Sequence, residues 1–148
     1  DMGGDEIDMV ANYGMIRSGE GDYVEADIRA VADACRPAGV PLKVILETCQ
    51  LGREQIQKAT EICAACGAAF VKTSTGFSSS GASFEAVKTM LEAAAGRVQV
   101  KASGGIRDRE TALAYVAMGA KRLGPNYSAS EALIKGAASP GDAPKGAY

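Results

Sequence analysis

Two rhythms alternate along this chain. Short apolar runs, of the kind that form buried strands, are separated by longer stretches in which apolar side chains recur every three or four positions. The runs predict strands over residues 6–10, 41–47, 68–72, 98–102 and 121–124, the second nearly all apolar apart from Lys43. Between them the pattern predicts a helix over 23–35, with Val24, Ile28, Val31 and Ala32 on one face, and another over 53–66, stopped at Gly67. Further helices are predicted over 83–95, which Ser83 can cap, over 108–118 before Gly119, and over 128–136. Residues 137–148 are rich in Gly, Ala, Pro and Ser and are predicted to form a flexible tail behind one partial domain over 1–136.

Helices between apolar strands make βαβ units and a parallel α/β sheet. Asp8, Lys43, Lys72 and Lys101 are 35, 29 and 29 residues apart, close to one βα unit each. All four are therefore expected at or near the C-terminal ends of successive strands, the rim that carries the chemistry in a (βα)8 TIM-type barrel. Such a barrel typically takes about 250 residues, and only five strands are predicted here. Residues 1–5 read as a loop that follows a helix not present. The pattern thus fits an N-terminally shortened barrel or a sheet that stays open, with two edges that invite self-association.

Composition narrows the class. Hydrophobic residues make up 47% and charged residues 23% of the 148, ordinary for a soluble globular domain. The net charge of −2 comes with no basic block, which argues against nucleic acid as the main partner. No apolar run approaches the roughly 20 residues that cross a bilayer, and no signal peptide opens the chain. The four cysteines, Cys35, Cys49, Cys63 and Cys66, include one CxxC inside a helical pattern, and the chain has no histidine. A zinc site needs more ligands than that. These read as reduced structural thiols of a cytoplasmic protein.

The chemistry is expected around two lysines. Lys72 stands where the run Phe70-Val71 gives way to Thr73-Ser74-Thr75-Gly76, and Lys101 is followed by Ala102-Ser103-Gly104-Gly105 in a similar plan. Burial and a neighbouring like charge both favour the neutral amine that a Schiff-base nucleophile requires. Asp8, a carboxylate inside the apolar run Ile7-Asp8-Met9-Val10, is the natural proton carrier, with Lys101 as its partner. Lys43, on the strand between, is a third candidate cation. Gly104 and Gly105, just before Ile106-Arg107-Asp108 and a predicted helix, suit backbone amides turned toward an anion, with Arg107 assisting. Gly124, after the last strand, is placed for the same task.

At four segments the chain resembles the deoxyribose-phosphate aldolases: residues 5–10, 42–48, 70–76 and 100–107, in that family's order and spacing. The resemblance runs from about Asp1 to Gly124. It implies an (αβ)8 barrel and a class I aldolase, working without metal or cofactor, that cleaves 2-deoxyribose 5-phosphate to acetaldehyde and glyceraldehyde 3-phosphate. It further implies that Lys72 forms the Schiff base, that Lys101 lowers its pKa and shares in proton transfer, and that Asp8 is the acid/base partner. Thr75 and Gly76 would line the substrate, and Gly76, Gly104, Gly105 and Gly124 would surround its phosphate. Tyr148 matches a terminal tyrosine that dips into the site in some members.

Two departures are visible. By this alignment the chain keeps strands four to eight and lacks the first three. Where members usually carry two serines after the last strand, this chain has Asn126 and Tyr127; Asn126 can still donate a hydrogen bond, whereas Tyr127 is bulky. A homo-oligomer that covers the sheet edges is expected. Two other readings fit the residues: a phospho-sugar-binding or inert barrel fragment, and a Schiff-base aldolase for small unphosphorylated aldehydes.

Overall fold

The computed structural model describes residues 3–135. Five strands form one sheet in sequence order, every neighbouring pair parallel. They are β1 (Ile7–Val10), β2 (Leu42–Ile45), β3 (Phe70–Lys72), β4 (Gln99–Ser103) and β5 (Arg122–Gly124). Helices α1 (Tyr13–Ser18) and α2 (Gly21–Cys35) join β1 to β2, and α3 (Arg53–Ala65), α4 (Phe84–Ala94) and α5 (Arg109–Met118) fill the next three crossovers. Helix α6 (Tyr127–Lys135) follows β5. The expected βα alternation is present throughout; four strands are one to three residues shorter than their apolar runs, and β4 is as long as its run but set one residue further on.

Alternation along each strand divides the sheet into two unlike faces. Val44, Val71, Val100 and Ala102 point to the helix layer and are almost fully buried. Burial of each such valine stabilises the fold by roughly 1.5–3 kcal/mol. Val24, Ile28 and Ala32 of α2, Ile56 and Ala59 of α3, and Val87 and Met90 of α4 meet them in one core. The other face carries Asp8, Lys43, Phe70, Lys72, Lys101 and Arg122, which the register sets side by side.

Local chemistry ends the helices where the sequence says it should. The Ser83 side chain accepts from Ala86 N at 3.1 Å and Asp108 from Thr111 N at 2.7 Å. Gly67 and Gly119 take left-handed backbone just past α3 and α5. Ser83→Ala is expected to destabilise the protein by about 1 kcal/mol, read as a lower denaturant midpoint with an unchanged slope. Helix α1 has no counterpart among the expected elements. Asn12 caps it and Gly19 ends it, but its six residues are too few to build an apolar periodicity.

The sheet does not close on itself among the described residues, yet it curls strongly. Glu6, beside β1 at one edge, lies 2.6 Å from Arg122 Nη1 of β5 at the other. This ion pair spans the concave face and joins residues 116 apart in sequence. The expected tail over 137–148, Tyr148 included, lies outside the described residues.

Candidate active site

Lysines and carboxylates alternate across the concave face. Lys43 Nζ donates to Asp8 Oδ1 at 2.7 Å and to Glu6 Oε2 at 2.9 Å, and its side chain is only 5% exposed. Lys72 Nζ stands 3.4 Å from Asp8 Oδ2, its side chain 13% exposed. Lys101 is directly opposite Lys72 across the β3–β4 pairing. Phe70 forms the floor, with the Arg122 guanidinium 4.1 Å and the Lys43 ammonium 5.8 Å from its ring centroid.

The expected depth of these residues needs one correction. Lys72 ends β3, but Asp8 and Lys43 are the second residues of their strands, and Lys43 is in register with Phe70 rather than with Lys72. Strands in a barrel-like sheet tilt and stagger, so equal spacing in sequence does not give equal height. Lys43 sits one layer below Lys72, and Asp8 reaches up to it.

Charge follows from this packing. Burial opposes ionisation of Asp8, but the hydrogen bond from Lys43 and the charges of Lys43 and Lys72 outweigh it, so its carboxyl titrates below its ordinary value. Burial likewise works against the Lys43 ammonium, and its bonds to Asp8 and Glu6 outweigh it and raise its pKa. Lys101 has only the charge of Asp8 in compensation, without a hydrogen bond to it. Burial first, then the charges of Lys72 and Lys43, push its ammonium below the usual lysine range.

Glu6 is the most perturbed of the set. The hydrogen bond from Arg122, followed by that from Lys43, holds its carboxyl from 4.5 down to about 2. A carboxyl depressed in the folded state stabilises the fold above its unfolded pKa and ceases to do so as pH falls through its folded one. The contribution of Glu6 is therefore complete above 4.5 and lost between 4.5 and about 2. Glu6→Gln is expected to flatten the acid-unfolding curve across that window, followed by circular dichroism.

The loops above the lysines are tied together. The Thr73 hydroxyl donates to Ser103 O at 2.9 Å and accepts from Ser103 N at 3.0 Å. Gly104 N and the Ser103 hydroxyl both donate to Gly124 O. Gly81 and Gly104 pack backbone to backbone: a Cβ on Gly81 would lie 2.2 Å from Gly104 C. Gly104 and Gly105 both have positive φ, 83° and 73°, the left-handed region that glycine alone enters without strain. Arg107 is exposed between that loop and α5.

Besides the Gly104 amide, two expected substrate groups have internal partners. The Thr75 hydroxyl donates to Glu47, a buried carboxylate on left-handed backbone (φ 46°). Asn126 caps α6: its Oδ1 accepts from Ser128 Oγ and from Ala129 N, each at 2.9 Å. Gly76, with φ 99°, lies in the loop after Thr75. The Ser74 hydroxyl, two residues beyond Lys72, is buried with no hydrogen-bond partner among the described residues. Cys63 and Cys66 are buried in the helix layer, where burial raises both thiol pKa values.

Sequence reasoning missed Glu6, Arg122 and Glu47. Glu6 had a usable signal, since it stands two residues before Asp8 and so shares its face. Arg122 and Glu47 had none stronger than their position at strand ends.

A curled parallel sheet with two lysines and a carboxylate on its inner face, beneath glycine-rich loops, defines a barrel-type lysine-centred site. The chain belongs to the DeoC/LacD family of aldolases, whose family model matches residues 1–139. It is 56% identical over 122 residues, 82% of the chain, to the deoxyribose-phosphate aldolase of Finegoldia magna. It is 54% identical over 134 residues, 90% of the chain, to that of Mannheimia succiniciproducens. The chain spans 56% and 58% of the length of these two relatives. The tetrameric deoxyribose phosphate aldolase of Aeropyrum pernix superimposes with a TM-score of 0.74 at 28% identity, covering 83% of this chain and 51% of that one. Among the described residues no helix is long and apolar enough to cross a membrane.

Proposed function

We propose that this chain carries the reaction centre of a deoxyribose-phosphate aldolase, with Lys72 as nucleophile. The observation that carries the reading is the Lys72–Asp8 contact of 3.4 Å, with Lys101 beside it in register. Burial, then the charges of Lys72 and Lys43, push the Lys101 ammonium below the usual lysine range, which sets an amine able to take and return protons beside the nucleophile.

In the cleavage direction the Lys72 amine attacks C1 of open-chain 2-deoxyribose 5-phosphate. The carbinolamine loses water to give an iminium. The C3 hydroxyl gives up its proton as the C2–C3 bond breaks, and that bonding pair flows into the iminium. Glyceraldehyde 3-phosphate leaves, and a two-carbon enamine stays on Lys72. Protonation at C2 and addition of water then release acetaldehyde and the free amine. Asp8, ionised at neutral pH, and Lys101, with its lowered pKa, carry these protons. The Gly105 amide, with Gly76, Gly124 and Arg107, is what this reading turns toward the phosphate, since the Gly104 amide is held by Gly124 O.

One observation favours a second reading. With its side-chain oxygen at the head of α6, Asn126 already takes the Ala129 N–H, one of the helix N–H groups that an anion would otherwise use. An aldolase for unphosphorylated 2-deoxy sugars or small aldehydes fits that arrangement. The setting is a cytoplasmic homo-oligomer acting on small molecules. Four unpaired cysteines suit a reducing compartment, and the Aeropyrum pernix relative is named for its tetramer.

Acetaldehyde release from 2-deoxyribose 5-phosphate and from 2-deoxyribose decides among these readings. A kcat/KM at least about tenfold higher for the phosphate ester supports the first. Equal values support the second, and no release from either, by folded protein, leaves an inert fragment.

A further inference from the structure

Five charges run in alternating sign across the concave face: Arg122, Glu6, Lys43, Asp8 and Lys72. The last two belong to the proposed reaction centre. The first three form a strut beneath it, anchored at both edges of the sheet.

We propose that Glu6 is a positioning residue for Asp8: gripped by Arg122 from the opposite edge, it takes up one side of the buried Lys43 ammonium and leaves Asp8 an oxygen for Lys72. The rest of the strut supports this. An ammonium has three donors and no preferred plane, so Lys43 alone could engage both Asp8 oxygens. Asp8 is 39% exposed and has no described partner besides the two lysines to fix its rotamer. Glu6 is fixed. Arg122 Nη1 lies 2.6 Å from its carboxylate, and the guanidinium itself rests on the Phe70 ring. Shared between Asp8 and Glu6, Lys43 gives Asp8 one hydrogen bond, to Oδ1, and Oδ2 faces Lys72. Glu6 stays ionised at any working pH, so the sharing persists.

The consequence for catalysis rests on the reading of Lys72 as nucleophile; the strut itself does not. The charged groups that face Asp8 are Glu6 just before its own strand, Lys43 from β2, Lys72 from β3 and Lys101 from β4, with Arg122 of β5 acting through Glu6. The test is an NMR titration of the Asp8 carboxyl carbon in aspartate-labelled protein. In Glu6→Gln the Asp8 midpoint is expected to fall by about half a pH unit, because Lys43 turns wholly to Asp8, and Glu6→Asp is expected to restore it. Arg122→Gln is expected to move it the other way, as the released Glu6 draws Lys43 to itself. With Lys43→Met in the background, the Glu6→Gln shift is expected to shrink by more than half.

A shift equally large without Lys43 overturns the proposal, since a plain field would then suffice. So does an Asp8 midpoint that ignores both Glu6→Gln and Arg122→Gln, a pair that tests it even if the Lys43 variant fails to fold. Borohydride trapping of acetaldehyde on Lys72 is run on the same samples. It is expected to slow about tenfold in Glu6→Gln and recover in Glu6→Asp. If Asp8 responds as stated while no variant, nor the parent protein, traps acetaldehyde, the positioning chain stands and the aldolase reading falls.

Discussion

Lys72→Met is expected to reduce aldol cleavage by about 10⁵-fold while leaving the fold in place. The variant removes the only group in this reading that bonds covalently to substrate, so what remains is background chemistry in a shaped cavity. Methionine retains most of the lysine stem, and Lys72 lies on the concave face rather than among the helices, where Val71 next to it is fully buried. Its loss costs one long ion pair to Asp8, at 3.4 Å. Lys72→Arg is expected to fail equally, because a guanidinium does not deprotonate in a protein. Rates of acetaldehyde release, with a thermal melt of each variant, check both statements. Activity within tenfold of the parent protein would assign the Schiff base to another lysine.

The second large effect is expected at Asp8. Asp8→Asn preserves shape and removes the charge, and turnover is expected to drop by about 10²–10³-fold. Lys43 keeps Glu6 as a partner in that variant, so folding survives, whereas Lys72 loses its carboxylate. The pH profile carries a sign as well. The bond from Lys43 and the charges of Lys43 and Lys72 outweigh burial and hold Asp8 below its ordinary 3.8. It is therefore ionised across the neutral range, and an acid limb due to its protonation is expected only below 3.8. A limb centred near 6 would point to a different proton carrier.

Much of this was legible in the residues. The apolar runs and the 3–4 periodicity located all five strands and five of the six helices, because a parallel sheet buried under helices needs continuous apolar strands. One βα unit separates Lys72 from Lys101 and puts them on neighbouring strands, where they pair in register. Ser83, Asp108, Gly67 and Gly119 marked helix ends through side-chain and backbone geometry that is local to the sequence. What was not legible is long in range. The Glu6–Arg122 pair closes a gap of 116 residues, and no local pattern encodes a contact between two sheet edges. The depth of Lys43 depends on strand stagger, a property of the sheet rather than of any strand. Asn126 is the exception: an asparagine just before an apolar-periodic run is a helix-capping signal as well as a hydrogen-bond donor, and its Oδ1 caps α6.

The strut also changes how the lysines are read. Three lysines on three strands look alike in sequence, but the structure gives each a different environment. Lys43 is sealed between two carboxylates, Lys72 touches one, and Lys101 has none within hydrogen-bonding distance among the described residues. Lys43 holds the centre of the ion-pair chain, between Glu6 and Asp8. How tightly each ammonium is held is thus set by how many carboxylates it can reach.

Reductive trapping tests the central claim most directly: borohydride is added with acetaldehyde, and the modified lysine is located by intact mass and peptide mapping. The result expected is one reduced two-carbon adduct, on Lys72. An adduct confined to Lys101 or Lys43, or no adduct in protein shown by circular dichroism to be folded, would contradict it.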